Sequence, residues 1–365
     1  MTVEAPEIDE AGLADLRDTV RQVCDDAGGT LPARRLAEEA GPGHDEALWE
    51  VLARQIGIAG VGLPESAGGG GGLAEIAAVC EELGRVLAPV PFLSSSVLAG
   101  QVLARCGAAG EKALRRVAAG EIHALVCADA DGAWRPGRPP AAWTLAGLEG
   151  RAPFVLDGAT ATGLVVAASG PEGVDLALVE PAAEGVDVRS MRTLDPSRPQ
   201  AAVTFTGVRA QPLTTGGTGE RVLAQAFDVA LVALAAEQLG GAQACLDMTV
   251  QYVRERRQFG RAVGSFQAVK HTCADLLLRV ETARSAVARA VRAGSVAEPA
   301  EAAVAAVWCA DAFAFVAAEC LQLHGGMGFT WEHDAHLYLR RARADAALLG
   351  GSAHHKERLA TLLAW

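Results

Sequence analysis

The strongest constraint on this chain is a long apolar helical pattern that ends in a basic turn and restarts as a second helix. The pattern runs over residues 222–255, and a second run follows Gly260. The apolar residues of the second run are spaced by three and four: Phe266, Val269, Cys273, Leu276 and Val280. That spacing puts one apolar stripe on a helix, so two core helices are predicted to meet at the turn.

The turn carries a cluster of cations and an amide: Arg254, Arg256, Arg257 and Gln258. A planar guanidinium makes paired hydrogen bonds to phosphate oxygens, so one interpretation is a diphosphate-binding turn. The other is a solvated corner between two helices, because charged side chains usually stay in water. These residues alone leave both interpretations open.

The hydrophobic periodicity changes twice along the chain and predicts three domains. Residues 1–122 have the pattern of amphipathic helices, and residues 123–217 contain short apolar runs punctuated by Gly, Pro and Asp. The pattern of residues 123–217 is typical of a small antiparallel β-domain. Residues 218–365 return to helices, predicted at 222–255, 265–292, 298–323, 334–344 and 353–363. The order helices, strands, helices favours segregated domains, with a helical bundle at the C-terminus.

Composition excludes several classes of protein and partner. The formal charge of −12 argues against nucleic acid, which needs a basic surface. No charge-free apolar run reaches the roughly 20 residues of a membrane span. The acidic start lacks the features of a signal peptide, and the 8 cysteines include no Cys-x-x-Cys pair. The expected protein is cytoplasmic, with reduced thiols. The histidines lack companion ligands, so no metal site is predicted.

A second motif, Gln-Leu-His-Gly-Gly-Met-Gly at residues 322–328, follows the third long helical run. Together with the basic turn, it resembles the C-terminal half of the flavin-dependent acyl-CoA dehydrogenases. The pattern Leu-Pro-Glu-x-x-Gly-Gly at residues 63–69 resembles the N-terminal helical domain of the same family. The resemblance covers nearly the whole chain. It implies a helical domain, a middle antiparallel β-barrel-like domain and a C-terminal four-helix bundle.

The resemblance also implies an FAD shared between subunits, with its ADP end held by the basic turn and the Gln-x-x-Gly-Gly loop. The matching residues of this chain are Arg256, Gln258, Phe259, Gln267, Gln322, Gly325 and Gly326. Glycines let backbone N–H groups approach phosphate oxygens, which suits this role. Gln322 and the glycines would equally serve as a helix cap.

The segments that contact the flavin ring in the family depart from the family pattern in this chain. The family's Thr-Glu-Pro-x-x-Gly-Ser and Trp-x-(Ser/Thr)-Asn segments are replaced at residues 126–134 and 155–163. Most members carry a catalytic Glu before a Gly-Thr near the C-terminus, and here Gly350 or Leu349 takes that position. The alternative position early in the long helix is Ala230.

Glu237 is the candidate catalytic base, because it lies two turns beyond Ala230 on the same helix face. A lone carboxylate among apolar residues is costly unless it is functional or paired. The alternative is therefore a Glu237 paired with an Arg or Lys across the bundle. Phe227 and Asp228 match positions that line the CoA-ester channel in the family.

The resemblance implies an FAD-dependent oxidoreductase that introduces a double bond into a branched or bulky acyl-CoA. Electron-transfer flavoprotein or another acceptor would take the electrons, and the chain would form a homo- or hetero-oligomer, a dimer or tetramer. The alternative is a non-catalytic partner subunit of a heteromeric acyl-CoA dehydrogenase. A third is a non-redox enzyme on the same scaffold.

Overall fold

The computed structural model describes residues 10–39, 43–129, 132, 134–135, 137–292 and 297–364. The first nine residues, and Ala130, Asp131 and Ala133 of the replaced flavin segment, lie outside this description. The N-terminal helices are α1 (Glu10–Asp26), α2 (Leu31–Glu38), α3 (Glu46–Glu50), α4 (Leu73–Arg85), α5 (Gly100–Arg105) and α6 (Ala108–Ala118). Wider π-type turns at Val51–Ile56 and Phe92–Ala99 lead out of α3 and into α5.

The middle of the chain forms a mixed sheet. Its strands are β1 (His123–Val126), β2 (Ala141–Thr144), β3 (Gly147–Leu156), β4 (Gly163–Gly170), β5 (Gly173–Val179), β6 (Val186–Met191), β7 (Gln200–Val208) and β8 (Gln211–Pro212). They lie in the order β6-β7-β3-β2-β4-β5-β8, and β1 also pairs with β4. The prediction of a purely antiparallel domain was wrong in one respect, because β1 and β2 both run parallel to β4. Alternation reports which face of a strand is buried and carries no information about strand direction.

Strand β4 joins the β-domain to the helices because both of its faces are buried. Val165 and Ala167 belong to the core shared with the helices, whereas Leu164 and Val166 belong to the core of the sheet. A strand covered on both faces is continuously apolar. The interface between the β-domain and the helices is therefore apolar along β4.

The C-terminal part is a bundle built on one helix. Its helices are α7 (Gly219–Glu255), α8 (Gln267–Arg292), α9 (Pro299–His324), α10 (Ala335–Asp345) and α11 (Gly351–Leu362). A short hairpin, β9 (Arg257–Gln258) and β10 (Arg261–Ala262), forms the basic turn. The predicted order of helical, β and bundle parts is confirmed.

Helices α4 and α7 cross with their backbones in contact. A methyl group on Gly240 would overlap the carbonyl of Glu81, and one on Gly84 would overlap the carbonyl of Glu237. Glycines at a crossing let helices approach closely, so larger residues at either position would separate α4 from α7.

By length and composition alone, two helical segments in the described part of the chain are apolar enough to cross a membrane: Gly219–Glu255 and Pro299–Phe329. Within the protein, 89% of the most apolar window of the first and 50% of that of the second is buried. Helix α7 is thus apolar because it is buried in the core of the bundle.

Candidate functional site

A cavity of about 260 Å³ lies where the N-terminal helices, the β-domain and the bundle meet. Ser94 and Leu98 line it from the segment before α5, Leu125 and Cys127 from β1 and its end, and Phe227 from α7. Phe227 lines this cavity, and its role as a channel residue stays a prediction. The ring of Trp134 stacks on Phe227 with centroids 4.0 Å apart. The cavity is predominantly apolar.

No acidic or basic side chain is found among the described residues that line this cavity. Burial raises the pKa of the Cys127 thiol to about 12, so Cys127 stays protonated and cannot act as a base near neutral pH. The Ser94 hydroxyl is hydrogen-bonded to the carboxyl of Asp157. Leu349, one of the two residues that the resemblance offers for the family's base position, lines the cavity with a left-handed φ of 53° that is uncommon for Leu.

Glu237 lies in a buried ion network. Its carboxylate accepts hydrogen bonds from Arg198 and, at 2.7 Å, from Arg341. Glu237 is not among the described residues that line the apolar cavity. This arrangement is the paired alternative considered from the sequence, and it argues against Glu237 as the base. Its catalytic role stays a prediction.

The same network links the bundle to the β-domain. Arg341 on α10 is 1% exposed and also binds Asp195, while Arg198 lies 3.3 Å from a carboxylate oxygen of Asp345. Two guanidiniums thus face three carboxylates. Burial raises the pKa of Asp345 to about 7, because the guanidinium of Arg198 compensates only in part. The network fastens α7 and α10 to the loop between β6 and β7.

Asp228, the second predicted channel residue, faces away from the cavity. It pairs with Arg358 of α11 at 2.6 Å and is 5% exposed. Burial raises the pKa of its carboxyl, and the guanidinium of Arg358 offsets this only in part. Its contact is a bundle ion pair, so the structure favours a structural role for Asp228.

A second cavity of about 490 Å³ lies at the opposite end of α7. Arg256, Gln258, Gly325 and Gly326 all line it, so the basic turn and the glycine loop form one site. The remaining predicted ADP contacts lie outside its described lining. Phe259 is 91% exposed, and the Gln267 amide is 2.8 Å from the His271 ring.

Gln322 acts as a helix cap in the described structure. Its side chain is exposed, and its carbonyl accepts a hydrogen bond from the Gly325 N–H. Gly325 has a left-handed φ of 58°, which ends α9. The cap interpretation therefore holds for Gln322 and Gly325, and their ligand role stays a prediction.

The second cavity fits the diphosphate of an FAD by two observations. No heavy atom lies within 4 Å of the position that a Cβ would occupy on Gly325 or Gly326, so the backbone is open there. His324 also lines the cavity, and its ring nitrogen Nε2 is buried without a partner in the described residues. Sequence reasoning missed His324, although its place between the last turn of α9 and the glycines was a usable signal.

The two cavities lie near opposite ends of helix α7. Helix α7 has 37 residues and is thus about 55 Å long. Phe227 lies near its start and Tyr252, which lines the second cavity, lies in its last turn. Phe227 and Tyr252 are 25 residues apart along this helix, a rise of about 38 Å. The two cavities are therefore separate sites of this chain.

Comparison with known proteins gives the family. Residues 12–121 match the family model of the acyl-CoA dehydrogenase N-terminal domain, and residues 217–363 match that of the C-terminal domain. The chain belongs to the acyl-CoA dehydrogenase family. It is 36% identical over 335 residues to acyl-CoA dehydrogenase IpdE2 of Mycobacterium tuberculosis, covering 92% of each chain.

Solved acyl-CoA dehydrogenases share the fold over nearly the full length. A variant of the Tcur3481-Tcur3483 steroid ACAD is 32% identical, with a TM-score of 0.85 over 97% of this chain and 98% of that one. The ChsE4-ChsE5 complex from Mycobacterium tuberculosis is 30% identical, with a TM-score of 0.83 over 98% of each chain. The predicted family, fold class and oxidoreductase relationship are confirmed.

Proposed function

We propose that this chain is the subunit of a heteromeric acyl-CoA dehydrogenase that lacks the catalytic base and holds the ADP end of an FAD shared with a partner subunit. The observation that carries the proposal is the absence of any carboxylate among the described residues that line the apolar cavity. Removal of an α-proton needs a base within hydrogen-bond reach. The two-component names of the Tcur3481-Tcur3483 and ChsE4-ChsE5 relatives support a heteromer.

The chain's own contribution is binding and positioning. Arg256 would direct its paired N–H groups at phosphate oxygens, and the open backbone at Gly326 would let the ligand approach closely. Gln258 adds an amide donor at the same cavity. When bound, FAD supplies the acceptor for the hydride that leaves the β-carbon of an acyl thioester. The partner subunit would supply the carboxylate.

A second candidate is an autonomous dehydrogenase for a branched or bulky acyl-CoA, with electron-transfer flavoprotein or another acceptor. Phe227 favours it, because it places an aromatic wall in a cavity at the junction of the three parts. The cavity of about 260 Å³ is small for a ring-bearing acyl group, since ligand pockets typically start at about 300 Å³. The Trp134 ring, stacked on Phe227, lines the same cavity.

Purification of the chain alone and with a co-expressed acyl-CoA dehydrogenase paralogue separates the two candidates. We expect a colourless protein alone and a yellow complex that bleaches when an acyl-CoA is added. Stoichiometric FAD on the isolated chain, reduced by an acyl-CoA, would refute the proposal and establish the autonomous enzyme. A complex whose flavin content does not depend on Arg256 would refute the ADP-binding role.

A further inference from the structure

We propose that His324 is an additional anion-binding residue of the second cavity, and that its Nε2 donates a hydrogen bond to the diphosphate held by Arg256 and the glycine loop. This inference rests on the proposed function, because it assigns a new contact within the same site. It adds to Arg256 a second cation, which lies within the motif at residues 322–328.

The hydrogen bonds of the ring leave one nitrogen for a ligand. Nδ1 of His324 is 2.7 Å from the carbonyl oxygen of Cys320, and a carbonyl only accepts, so Nδ1 carries the hydrogen. Nε2 is buried and has no partner within the described residues. The residue is 2% exposed and lines the cavity together with Arg256 and Gly326. Buried polar atoms are nearly always paired, and His324 belongs to the cavity wall, so we assign a ligand in the cavity as the partner of Nε2.

Two neighbouring rings hold the imidazole in place. The Tyr252 ring packs with its centroid 4.4 Å from that of His324, and the His333 ring packs at 4.3 Å. Tyr252 comes from the end of α7, and His333 from the segment before α10. A ring fixed before the ligand arrives loses little conformational freedom on binding.

An anion requires the charged ring. With its hydrogen on Nδ1, a neutral imidazole presents a lone pair at Nε2, which repels a phosphate oxygen. Protonation converts Nε2 into a donor. His324 is the last residue of α9, and the C-terminal end of a helix favours a cation.

The surroundings of the ring both lower and raise the pKa of His324. Burial alone would lower the pKa of His324, but the hydrogen bonds to Cys320 outweigh it and leave the pKa raised. The other ionisable groups around the ring are Cys245, Tyr252 and Arg256 from the α7 side, Cys320 on α9, and His333 and Asp334 before α10. Val269 is the residue of α8 that lines this cavity, and it carries no charge.

Titration calorimetry of the full-length chain with ADP, and with adenosine as the uncharged probe, tests the assignment. We expect His324→Phe, which keeps a ring between Tyr252 and His333, to weaken ADP binding by roughly 10- to 100-fold and to leave adenosine binding unchanged. Wild-type affinity for ADP should fall as pH rises above the ordinary His value of 6.5, and this fall should vanish in the variant.

Three further variants keep the outcome interpretable. His324→Gln restores a neutral donor and should recover part of the affinity without the pH dependence. His354→Phe, on α11 away from the cavity, should bind ADP as the wild type does. If Arg256→Ala weakens ADP binding while His324→Phe retains both affinity and pH dependence, the His324 assignment is overturned and the proposed function stands. Absence of ADP affinity in both the wild-type chain and its flavin-free heteromer overturns both.

Discussion

The two ends of helix α7 present opposite environments. Near its start, Phe227 and Leu349 face an apolar cavity without an acidic or basic side chain in the described lining. Beyond its end, Arg256, His324 and two open glycines line a second cavity, which therefore carries a guanidinium and an imidazole. A catalytic dehydrogenase needs a base at the first end and a phosphate clasp at the second. We propose that this chain provides the phosphate-binding residues and that its partner supplies the base.

The largest expected effect is a loss of stability when the buried ion network around Arg341 is broken. Arg341→Met leaves Glu237 and Asp195 buried with fewer partners, so we expect a loss of about 3–5 kcal/mol in the free energy of unfolding. Urea unfolding followed by circular dichroism measures it. Arg340→Met, the neighbouring cation on the same helix, is the control and should change stability little. Equal losses in both variants would show that the network adds nothing specific.

The next prediction concerns the second cavity, beside the basic turn. Arg256→Ala should reduce the affinity of the heteromer for FAD by roughly 10- to 100-fold, since it removes a charged donor to phosphate. Arg256 is exposed, so the thermal midpoint of the ligand-free chain should stay unchanged. Arg254→Ala is the matched control, because Arg254 lies two residues earlier and is outside the described lining of the cavity. Equal losses of FAD in the two variants would point to general surface charge.

A smaller, pH-dependent effect sharpens the account of the ion network. The pKa of Asp345 is raised from 3.8 to about 7, so the folded state binds more protons than the unfolded state between these values. Its contribution to stability therefore falls as pH rises from about 4 to 7 and is constant above that. Asp345→Asn should gain stability relative to wild type by on the order of 1 kcal/mol per pH unit across this range. Parallel stability curves for the two proteins would contradict the raised pKa.

The smallest expected effect concerns catalysis at the apolar end. Glu237→Gln should leave flavin reduction by an acyl-CoA within about twofold of wild type in the folded heteromer, because Glu237 is paired with Arg198 and Arg341. Stopped-flow bleaching of the flavin, below the unfolding transition of the variant, measures it. Loss of reduction with an intact flavin spectrum would reinstate Glu237 as the base.

Local and motif signals sufficed for much of this molecule. The periodicity of residues 222–255 and 265–292 predicted α7 and α8 to within about three residues at their ends. Arg256, Gln258, Gly325 and Gly326 were predicted to meet, and they line one cavity. The resemblance places Leu349 or Gly350 where most family members carry a Glu, and the missing base stays a prediction.

Only the tertiary structure decided what the buried polar groups do. Glu237 meets Arg198 and Arg341, which are 39 and 104 residues away along the chain, so no local pattern could choose between ion pair and base. The directions of β1 and β2 and the unpaired Nε2 of His324 were equally hidden. Periodicity reports how a residue faces its own element, whereas charge pairing and hydrogen-bond satisfaction depend on the elements that fold against it.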